Sequence, residues 1–399
     1  MALSASALYD PDVFVEAVPW ALLAQLREQS PVHWHAEGPG AGRYVVTSHR
    51  FVRELNRDWG RFSSSHLAVA GGEGQHRRPG SVTLLECDPP AHTTLRRLVS
   101  RGFTPRAAVA LEDVAQAVAR DLVDQFAARG GGDAVGLAAQ LPLHVTGEML
   151  GIPFEDRAEL LRWTSTTVGA LDDDLCPSPS DLRRAVEGFD EYGQQHVRRR
   201  RADPGEDVFS ALVHTDLGDA GLSDEDLGGW WKLLVTGSTE TTRNLLSGGL
   251  QLLLDHPNQA KQLADDLALL DTAIEEMLRM VTPVMHHQRR VTTTVVHESG
   301  ACFQPGQIVD LWMIAANRDR DVFGDADVFD ITRSPNDHLS FGSGGPHYCL
   351  GASLARQEAR AFFEAVLPHF ERWESAGPPV RVRGSHFNSL KRLPVALHR

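Results

Sequence analysis

The chain has 399 residues, of which 42% are hydrophobic and 23% charged, and it carries a formal net charge of −14 at pH 7. This length allows one large domain with a sizeable core, and the negative charge argues against nucleic acid or an anionic membrane as the main partner. No segment approaches the ~18 uninterrupted apolar residues that span a membrane, and residues 1–9 have neither the basic nor the apolar region of a signal peptide.

The first predicted elements are a helix and a β-hairpin. Residues 19–30 have helical periodicity, and residues 32–35 and 43–47 alternate as two strands joined by a glycine-rich turn at 38–42. Residues 63–86 contain glycine clusters without a sustained period. Because no Gly-Lys-Ser/Thr sequence follows, this segment is predicted as an irregular loop rather than a phosphate-binding loop.

A basic helical face follows at residues 88–100. An Asp-Pro-Pro sequence predicts the helix start, and His92 and Arg96 are four residues apart, so they share one face. Two cations on one face repel each other unless an anion lies opposite, where it would accept charge-assisted hydrogen bonds. The alternative is a solvated basic surface continued by Arg97 and Arg101.

Helices dominate the middle of the chain. Residues 105–130 and 141–150 are predicted helices, and residues 155–201 are predicted as two helices separated by a polar, proline-containing hinge at 172–179. The arginine run 198–201 fits a solvated helix C-terminus, where basic residues favour the dipole.

Residues 222–256 predict a helix of roughly 30 residues, long enough at ~45 Å to cross the molecule, with a capping box at its start. Its flanks are apolar, but residues 236–244 form a polar run of hydroxyls around Glu240. A buried carboxylate costs free energy unless it is paired. A structural explanation is an ion pair with Arg243, with the threonines bonded to their own helix.

The segments that follow predict a helix, a strand and a hairpin. Residues 268–279 are amphipathic, and Glu276 and Arg279 are placed to pair at a spacing of three. Residues 285–296 predict a strand, and residues 380–395 a final hairpin with Phe387 near its tip.

The most distinctive stretch is the glycine-rich segment 341–351, which surrounds Cys349 and precedes a predicted helix at 350–366. Glycines permit close approach to a flat ligand, and the start of a helix favours a thiolate over a thiol. Such a thiolate suits ligation of a haem iron. A turn with a structural cysteine is the alternative.

This segment resembles the haem-binding signature of the cytochrome P450 monooxygenases, Phe-x-x-Gly-x-His/Arg-x-Cys-x-Gly. His347, Cys349 and Gly351 match in register, whereas Phe341 stands one residue further upstream than in the commonest spacing. That extra residue is typical of a bacterial subgroup whose members oxidise sterols and branched lipid chains.

Three further motifs resemble those of the same family, and all four occur in the family's order over nearly the whole chain. Residues 237–242 resemble its Ala/Gly-Gly-x-Asp/Glu-Thr-Thr motif, with Ser238 at the usual second glycine. His92 and Arg96 match its His-x-x-x-Arg motif, and residues 276–279 its Glu-x-x-Arg motif, which serves folding.

The resemblance implies a mainly α fold with small β-sheets, the cytochrome P450 fold, as a single large domain over residues 1–399. Residues 63–86 and 165–200 would be mobile substrate-access regions. The activity implied is that of a haem b monooxygenase, in which one atom of dioxygen enters a C–H bond and the other leaves as water. A peroxide-driven peroxygenase and a non-catalytic haem-binding protein are the alternatives.

The resemblance also implies roles for individual residues. Cys349 is the expected axial iron ligand, and Thr241 and Glu240 are the expected catalytic residues, which manage protons. The other expected cofactor-binding residues are His92, Arg96, Arg290, His347, Gly237 and Phe341, with Arg289 as the rival of Arg290. An apolar pocket is expected from Leu84, Leu85, Val284, Met285 and Phe387.

The implied partners are a hydrophobic substrate (a terpenoid, steroid, fatty acyl chain or other natural product) and dioxygen. Electrons from NAD(P)H would arrive through a ferredoxin and its reductase, which would dock near Arg97, Arg101 and Arg360. Four widely spaced cysteines without a C-x-x-C pair predict a reduced, cytoplasmic protein. A monomer that binds neither nucleic acid nor membrane is expected.

Overall fold

The computed structural model describes residues 4–36, 42–65, 83–100, 105–215 and 222–398, without the side chains of residues 105–110. The fold is mainly α with small β-sheets and forms a single domain, as expected. In this part of the chain, no helix combines the length and the apolar character needed to cross a membrane.

The α-helices are α1 (Val13–Glu16), α2 (Trp20–Gln29), α3 (His49–Arg57), α4 (Ala91–Ser100), α5 (Pro105–Ala128), α6 (Ala134–Leu150), α7 (Phe154–Val168), α8 (Pro179–Ala202), α9 (Val208–Val213), α10 (Asp224–Asp255), α11 (Pro257–Asp265), α12 (Leu270–Val281), α13 (Met313–Ala316) and α14 (Ala352–Val366). The strands are β1 (Val32–His35), β2 (Arg43–Val46), β3 (Phe62–Ser63), β4 (Gly131–Asp133), β5 (His287–Val291), β6 (Val295–Val296), β7 (Cys302–Phe303), β8 (Ile308–Leu311), β9 (Trp373–Ser375), β10 (Val380–Arg381), β11 (Leu390–Arg392) and β12 (Pro394–Leu397).

Helix α10 is the central element, and it confirms the predicted long helix. Its capping box joins Ser223 and Asp226, and its 32 residues form an unbroken helix, about 48 Å long. The apolar flanks bury Trp230, Trp231 and Leu250 completely. Because α10 packs against α6, α8, α12 and α14, side chains along its length are brought close to most of the helical core.

The largest sheet has the strand order β1-β2-β8-β5-β3. Its β1–β2 hairpin has the predicted antiparallel register, in which Val32 lies opposite Val46; most of the predicted turn lies outside the described residues. The central strand β8 runs parallel to β2 and antiparallel to β5. The sheet therefore fixes the direction in which the side chains of β5 point.

Helix α6 is longer than the sequence predicted. It begins at Ala134, where Asp133 caps it by accepting from the Val135 amide, and it contains Pro142. Most of its residues are buried, so it lacks the one-sided apolar pattern that identifies a surface helix. Burial against α5 and α10 outweighs the cost of a proline within the helix.

The predicted Glu276–Arg279 pair is completely buried. The Arg279 Nε and Nη2 atoms donate to the two Glu276 oxygens at 2.7 and 2.8 Å, and Arg279 Nη1 donates to the carbonyls of Asn317 and Ala326. Arg333 also donates to Glu276. The pair thereby ties α12 to the irregular segment that leads towards Cys349.

The turn between α7 and α8 is anchored by Asp172, which is buried. Its carboxylate accepts from Lys391 Nζ at 3.0 Å and from the Arg383 amide at 2.9 Å, while Arg383 Nη1 donates to the Leu171 carbonyl. Arg383 and Lys391 belong to the predicted C-terminal hairpin, which is confirmed by the antiparallel pairing of β10 and β11.

Candidate active site

The segment around Cys349 is a tight loop held against the end of α3. The Cys349 amide donates to the Phe341 carbonyl at 2.9 Å, and Arg57 Nε donates to the Ser343 carbonyl at 2.6 Å. Gly344 has a φ of +83°, and a Cβ there would lie 2.9 Å from Arg57 Nη2. Glycine at this position thus allows both the left-handed turn and the close approach of the arginine.

Cys349 is exposed, but enough protein surrounds its sulfur to disfavour the ionised form of the thiol. Desolvation raises the pKa of the thiol, whereas the Gly351 amide and the charges of Arg96 and Arg356 act to lower it. Gly351 is the N-cap of helix α14, so the start of the helix acts to lower the pKa of the thiol, as expected, while desolvation acts in the opposite direction. That Cys349 is a thiolate stays a prediction.

One face of α10 looks onto open space in the middle of this otherwise buried helix. Gly237 is exposed, and among the described residues the nearest atom that a Cβ added to it would meet is Leu233 Cδ1, at 4.0 Å. The Thr241 hydroxyl, one turn further on, donates to the Gly237 carbonyl at 2.8 Å. A glycine and a hydroxyl one helical turn apart thus share one face of α10.

Glu240 lies on a different face of α10 and is completely buried. Its Oε2 atom is 2.6 Å from Arg243 Nη2, and Arg243 Nη1 also contacts Ser165 Oγ at 3.4 Å. Burial raises the pKa of Glu240, whereas Arg243 opposes this rise. The structural explanation of the polar run thus accounts for Glu240, but not for the open face at Thr241.

A buried group of basic side chains lies beside the Cys349 loop. The rings of His92 and His347 are 4.4 Å apart, and Arg96 Nη1 donates to the Pro346 carbonyl at 2.9 Å. The Nε2 atoms of both histidines are buried without a hydrogen-bond partner among the described residues. Desolvation, with the nearby His347 and Arg96, lowers the pKa of His92 to about 4.

Strand β5 adds Arg289 to this group and turns Arg290 away from it. Arg289 is buried, whereas Arg290 is exposed, because successive side chains of a strand point to opposite faces. Arg289 Nη2 donates to Asn56 Oδ1 at 2.5 Å, and burial lowers the pKa of Arg289 to about 10. The exposed position of Arg290 is at odds with its predicted role, and burial beside the Cys349 loop favours its rival, Arg289.

Comparisons with known proteins agree with this geometry. Residues 180–383 match the family model described as Cytochrome P450. The chain is 33% identical to a steroid C26-monooxygenase of Mycolicibacterium smegmatis over 97% of this chain and 92% of that protein. It is 32% identical to the linalool 8-monooxygenase of Pseudomonas putida, over 98% of both chains. The chain belongs to the cytochrome P450 family.

The P450 fold is confirmed by solved structures. A Mycobacterium marinum cytochrome P450 in complex with pseudoionone superposes with a TM-score of 0.89 at 30% identity, over 99% of this chain and 98% of that one. The Novosphingobium aromaticivorans enzyme CYP108D1 superposes with a TM-score of 0.87 at 27% identity, over 98% and 97%. The protein is a haem-thiolate monooxygenase that acts on a hydrophobic small molecule with dioxygen and redox partners.

The residues of this P450 fit a haem. An accessible cysteine can ligate iron, and the positive charge of the iron stabilises the thiolate against the cost of desolvation. The glycine-opened face of α10 leaves room for a flat ligand. The buried His92 Nε2 atom, which has no partner among the described residues, lies beside His347, Arg96 and Arg289, and these groups match the carboxylates that haem b carries. His347 Nε2 also lies 3.9 Å from Asp88 Oδ1. The buried Arg289 Nε atom, which also lacks a partner among the described residues, belongs to the same group.

Sequence reasoning missed the side chains that support this group. Asp88 accepts from Ser63 Oγ, from the Ser64 amide at 3.0 Å and from Ser65 Oγ at 3.1 Å. Desolvation acts to raise the pKa of Asp88, but His347 and these hydrogen bonds hold it well below its usual range. Asn56 joins Arg289 to Ser343 of the cysteine loop. An asparagine within a short helix gives no sequence signal of that link.

Several expected site residues lie elsewhere or outside the description. Met285 is completely buried among residues of the N-terminal segment, whereas Val284 forms a bridge with Phe387, so the predicted pocket loses Met285. Residues 66–82 of the predicted access loop and Arg101 lie outside the described residues.

Arg289→Ala and Arg290→Ala are expected to differ sharply in haem retention. Loss of a buried charged hydrogen bond costs ~1.5–3 kcal/mol, so Arg289→Ala should weaken haem binding by about 10- to 100-fold. Arg290→Ala should stay within about 0.5 kcal/mol of the unmodified protein. Rates of haem loss to an excess of a scavenger protein measure both, and equal rates would contradict the assignment of Arg289.

Proposed function

We propose that this P450 hydroxylates a terpenoid- or steroid-like molecule, which it binds between the open face of α10 and the hairpin that carries Phe387. The observation that carries the proposal is the accessible Leu233–Gly237–Thr241 face. Leu233 and the bridged pair Val284 and Phe387 offer apolar contacts. Relatives named for a steroid and for linalool, and a structural neighbour bound to pseudoionone, support this substrate class.

In the proposed site, Cys349 would hold the haem iron through its sulfur, and the bound haem would supply the activation of dioxygen. His92, Arg96, Arg289 and His347 would neutralise the haem carboxylates by charge-assisted hydrogen bonds. Phe341 and Gly237 would help to hold the haem. Asn56, which hydrogen-bonds to both Arg289 and Ser343, holds the carboxylate-binding Arg289 in a fixed position relative to the cysteine loop.

Thr241 and Glu240 have separate tasks in this proposal. The Thr241 hydroxyl lies on the open face of α10, where it would hold a proton donor in position by a hydrogen bond. Glu240, whose pKa is raised by burial, would exchange protons with the solvent when its ion pair with Arg243 breaks. The Thr241 hydroxyl already donates its hydrogen to the Gly237 carbonyl. The lone pairs of the hydroxyl oxygen therefore remain free to accept a hydrogen bond from a proton donor.

Thr241→Ala is expected to keep haem but to uncouple electron use from oxygenation. Without the hydroxyl, no group at residue 241 holds the proton donor in position. The amount of product formed per NAD(P)H should therefore fall by about tenfold or more, and the yield of hydrogen peroxide should rise. Thr241→Ser, which retains the hydroxyl, should restore most of the coupling. An unchanged product yield per electron in Thr241→Ala would refute the role.

We propose a ferredoxin and its reductase as the electron donors, with docking on the basic face near Arg97 and Arg360. Arg97 is exposed, whereas Arg360 is partly neutralised by Asp271 and by Glu364 at 2.8 Å. Charge-guided docking slows as salt rises, so reduction rates that do not depend on ionic strength would count against it. Cytoplasmic location and a monomeric state remain predictions.

Spectral titration tests the substrate class. Purified protein is titrated with a terpenoid alcohol, a sterol, a branched fatty acid and a polar control such as a sugar. A terpenoid or sterol should shift the haem spectrum and yield a hydroxylated product with NAD(P)H and surrogate redox proteins. A shift with none of the lipids would overturn the proposed class without affecting the haem-thiolate assignment.

A further inference from the structure

An arginine on α14 lies close to the cysteine loop and has no role in the proposed function. The Arg356 guanidinium lies over the Phe341 ring, 4.5 Å from its centroid, and its Nη1 atom donates to the Ala352 carbonyl at 3.3 Å. Phe341 in turn accepts the Cys349 amide hydrogen bond at 2.9 Å. Arg356 therefore touches the residue that holds the cysteine backbone in place.

The charge of Arg356 also reaches the sulfur through space. The Arg356 guanidinium lies over the Phe341 ring, and the Phe341 carbonyl accepts from the Cys349 amide, so the charge lies close to the cysteine. Arg96 donates to Pro346 and belongs to the basic group already described. Arg356 approaches the loop from α14, on the side of the Phe341 ring.

Glu275 fixes Arg356 in this position. Arg356 Nε and Nη2 donate to the two Glu275 oxygens at 2.6 and 2.7 Å, a bidentate arrangement. Glu275 also lies 3.1 Å from His338 Nε2. Although desolvation acts to raise the pKa of Glu275, hydrogen bonds from Arg356 and His338 lower it to about 2, so the carboxylate is ionised at neutral pH. Glu275 thus offsets part of the positive potential that Arg356 creates.

We propose that the Glu275–Arg356 pair sets the reduction potential of the haem through its electrostatic effect on the Cys349 sulfur. The inference rests on the proposed thiolate ligation. One-electron reduction adds negative charge at the iron and its sulfur ligand, so a nearby cation favours reduction and a nearby anion opposes it. The Phe341 ring keeps the guanidinium at a fixed distance from the loop. Arg356 is a positioning residue, because it acts through Phe341 and the sulfur rather than on substrate.

The test is a chemical redox titration of the haem-loaded protein without redox partners. Arg356→Met should lower the midpoint potential, by about 59 mV if the reduction equilibrium constant falls tenfold, and Glu275→Gln should raise it. Arg356→Lys keeps the charge but loses the planar fork, so its potential should lie between those of Arg356→Met and the unmodified protein. Arg162→Met is the matched control, since Arg162 also donates through two nitrogens to a glutamate, Glu159, but at an exposed site on α7; its potential should not change.

The ferrous-carbonyl spectrum distinguishes failure of the proposed redox role from failure of the thiolate ligation on which it rests. A thiolate-type band in every variant, with opposite shifts for Arg356→Met and Glu275→Gln, supports the inference. Unchanged potentials, or shifts in the same direction, would overturn it while leaving thiolate ligation intact. If Arg356→Met fails to fold, Glu275→Gln and Arg356→Lys decide alone. An imidazole-type band in the unmodified protein would refute the proposed function itself.

Discussion

Cys349→Ser is expected to eliminate the thiolate-type ferrous-carbonyl band and to reduce monooxygenase turnover to background. The hydroxyl of serine has no accessible anionic form at neutral pH, so the strong electron donation that favours O–O cleavage is lost. The backbone of the loop should persist, because the Cys349 amide, not its sulfur, makes the hydrogen bond to Phe341.

Cys302→Ser is the matched control for this change. Cys302 is also free and exposed, but it lies in the small β6–β7 sheet, away from the glycine-rich loop. Its replacement should leave the haem spectrum and turnover unchanged. Persistence of the thiolate-type band in Cys349→Ser, or its loss in Cys302→Ser, would contradict the assignment of the ligand.

Glu276→Ala is expected to produce the largest loss of stability, about 3–5 kcal/mol, because it leaves the buried Arg279 charge without its partner. Arg333 would lose the same acceptor. The urea midpoint of unfolding, followed by tryptophan fluorescence, should fall accordingly.

The chain contains a matched control for the buried pair. Glu159 and Arg162 have the same spacing but are largely exposed, and exposed pairs contribute ~0–1 kcal/mol. Glu159→Ala should therefore leave the midpoint nearly unchanged. A similar decrease in both variants would show that burial does not determine the contribution of the Glu276–Arg279 pair.

The sequence predicted the elements that have strong local signals. The capping box and apolar flanks of α10, the alternation of β1 and β2, and the prolines around the α7–α8 turn all mark structure within a few residues. That Gly237 and Thr241 lie on the same face of α10 follows from their helical spacing. These features depend on neighbours in the chain, which the sequence displays directly.

The features that the sequence did not reveal depend on distant parts of the chain. Arg289 and Arg290 are adjacent, and only the pairing of β5 with β8 decides which one is buried. The start of α6 was missed because the helix is apolar on most sides. The charge of Arg96, which is far from Cys349 in the chain, also acts on the pKa of the Cys349 thiol, and no local pattern expresses that proximity.

The contacts that anchor the α7–α8 turn through Asp172 bear on how a substrate could enter. Lys391 and Arg383, its partners, flank Phe387 in the same hairpin. Helices α7 and α8 and the hairpin that bears Phe387 are thus joined through Asp172. If substrate enters by movement of these helices, as the access region predicted for residues 165–200 implies, the contacts of Asp172 with Lys391 and Arg383 must break or the hairpin must move with the helices.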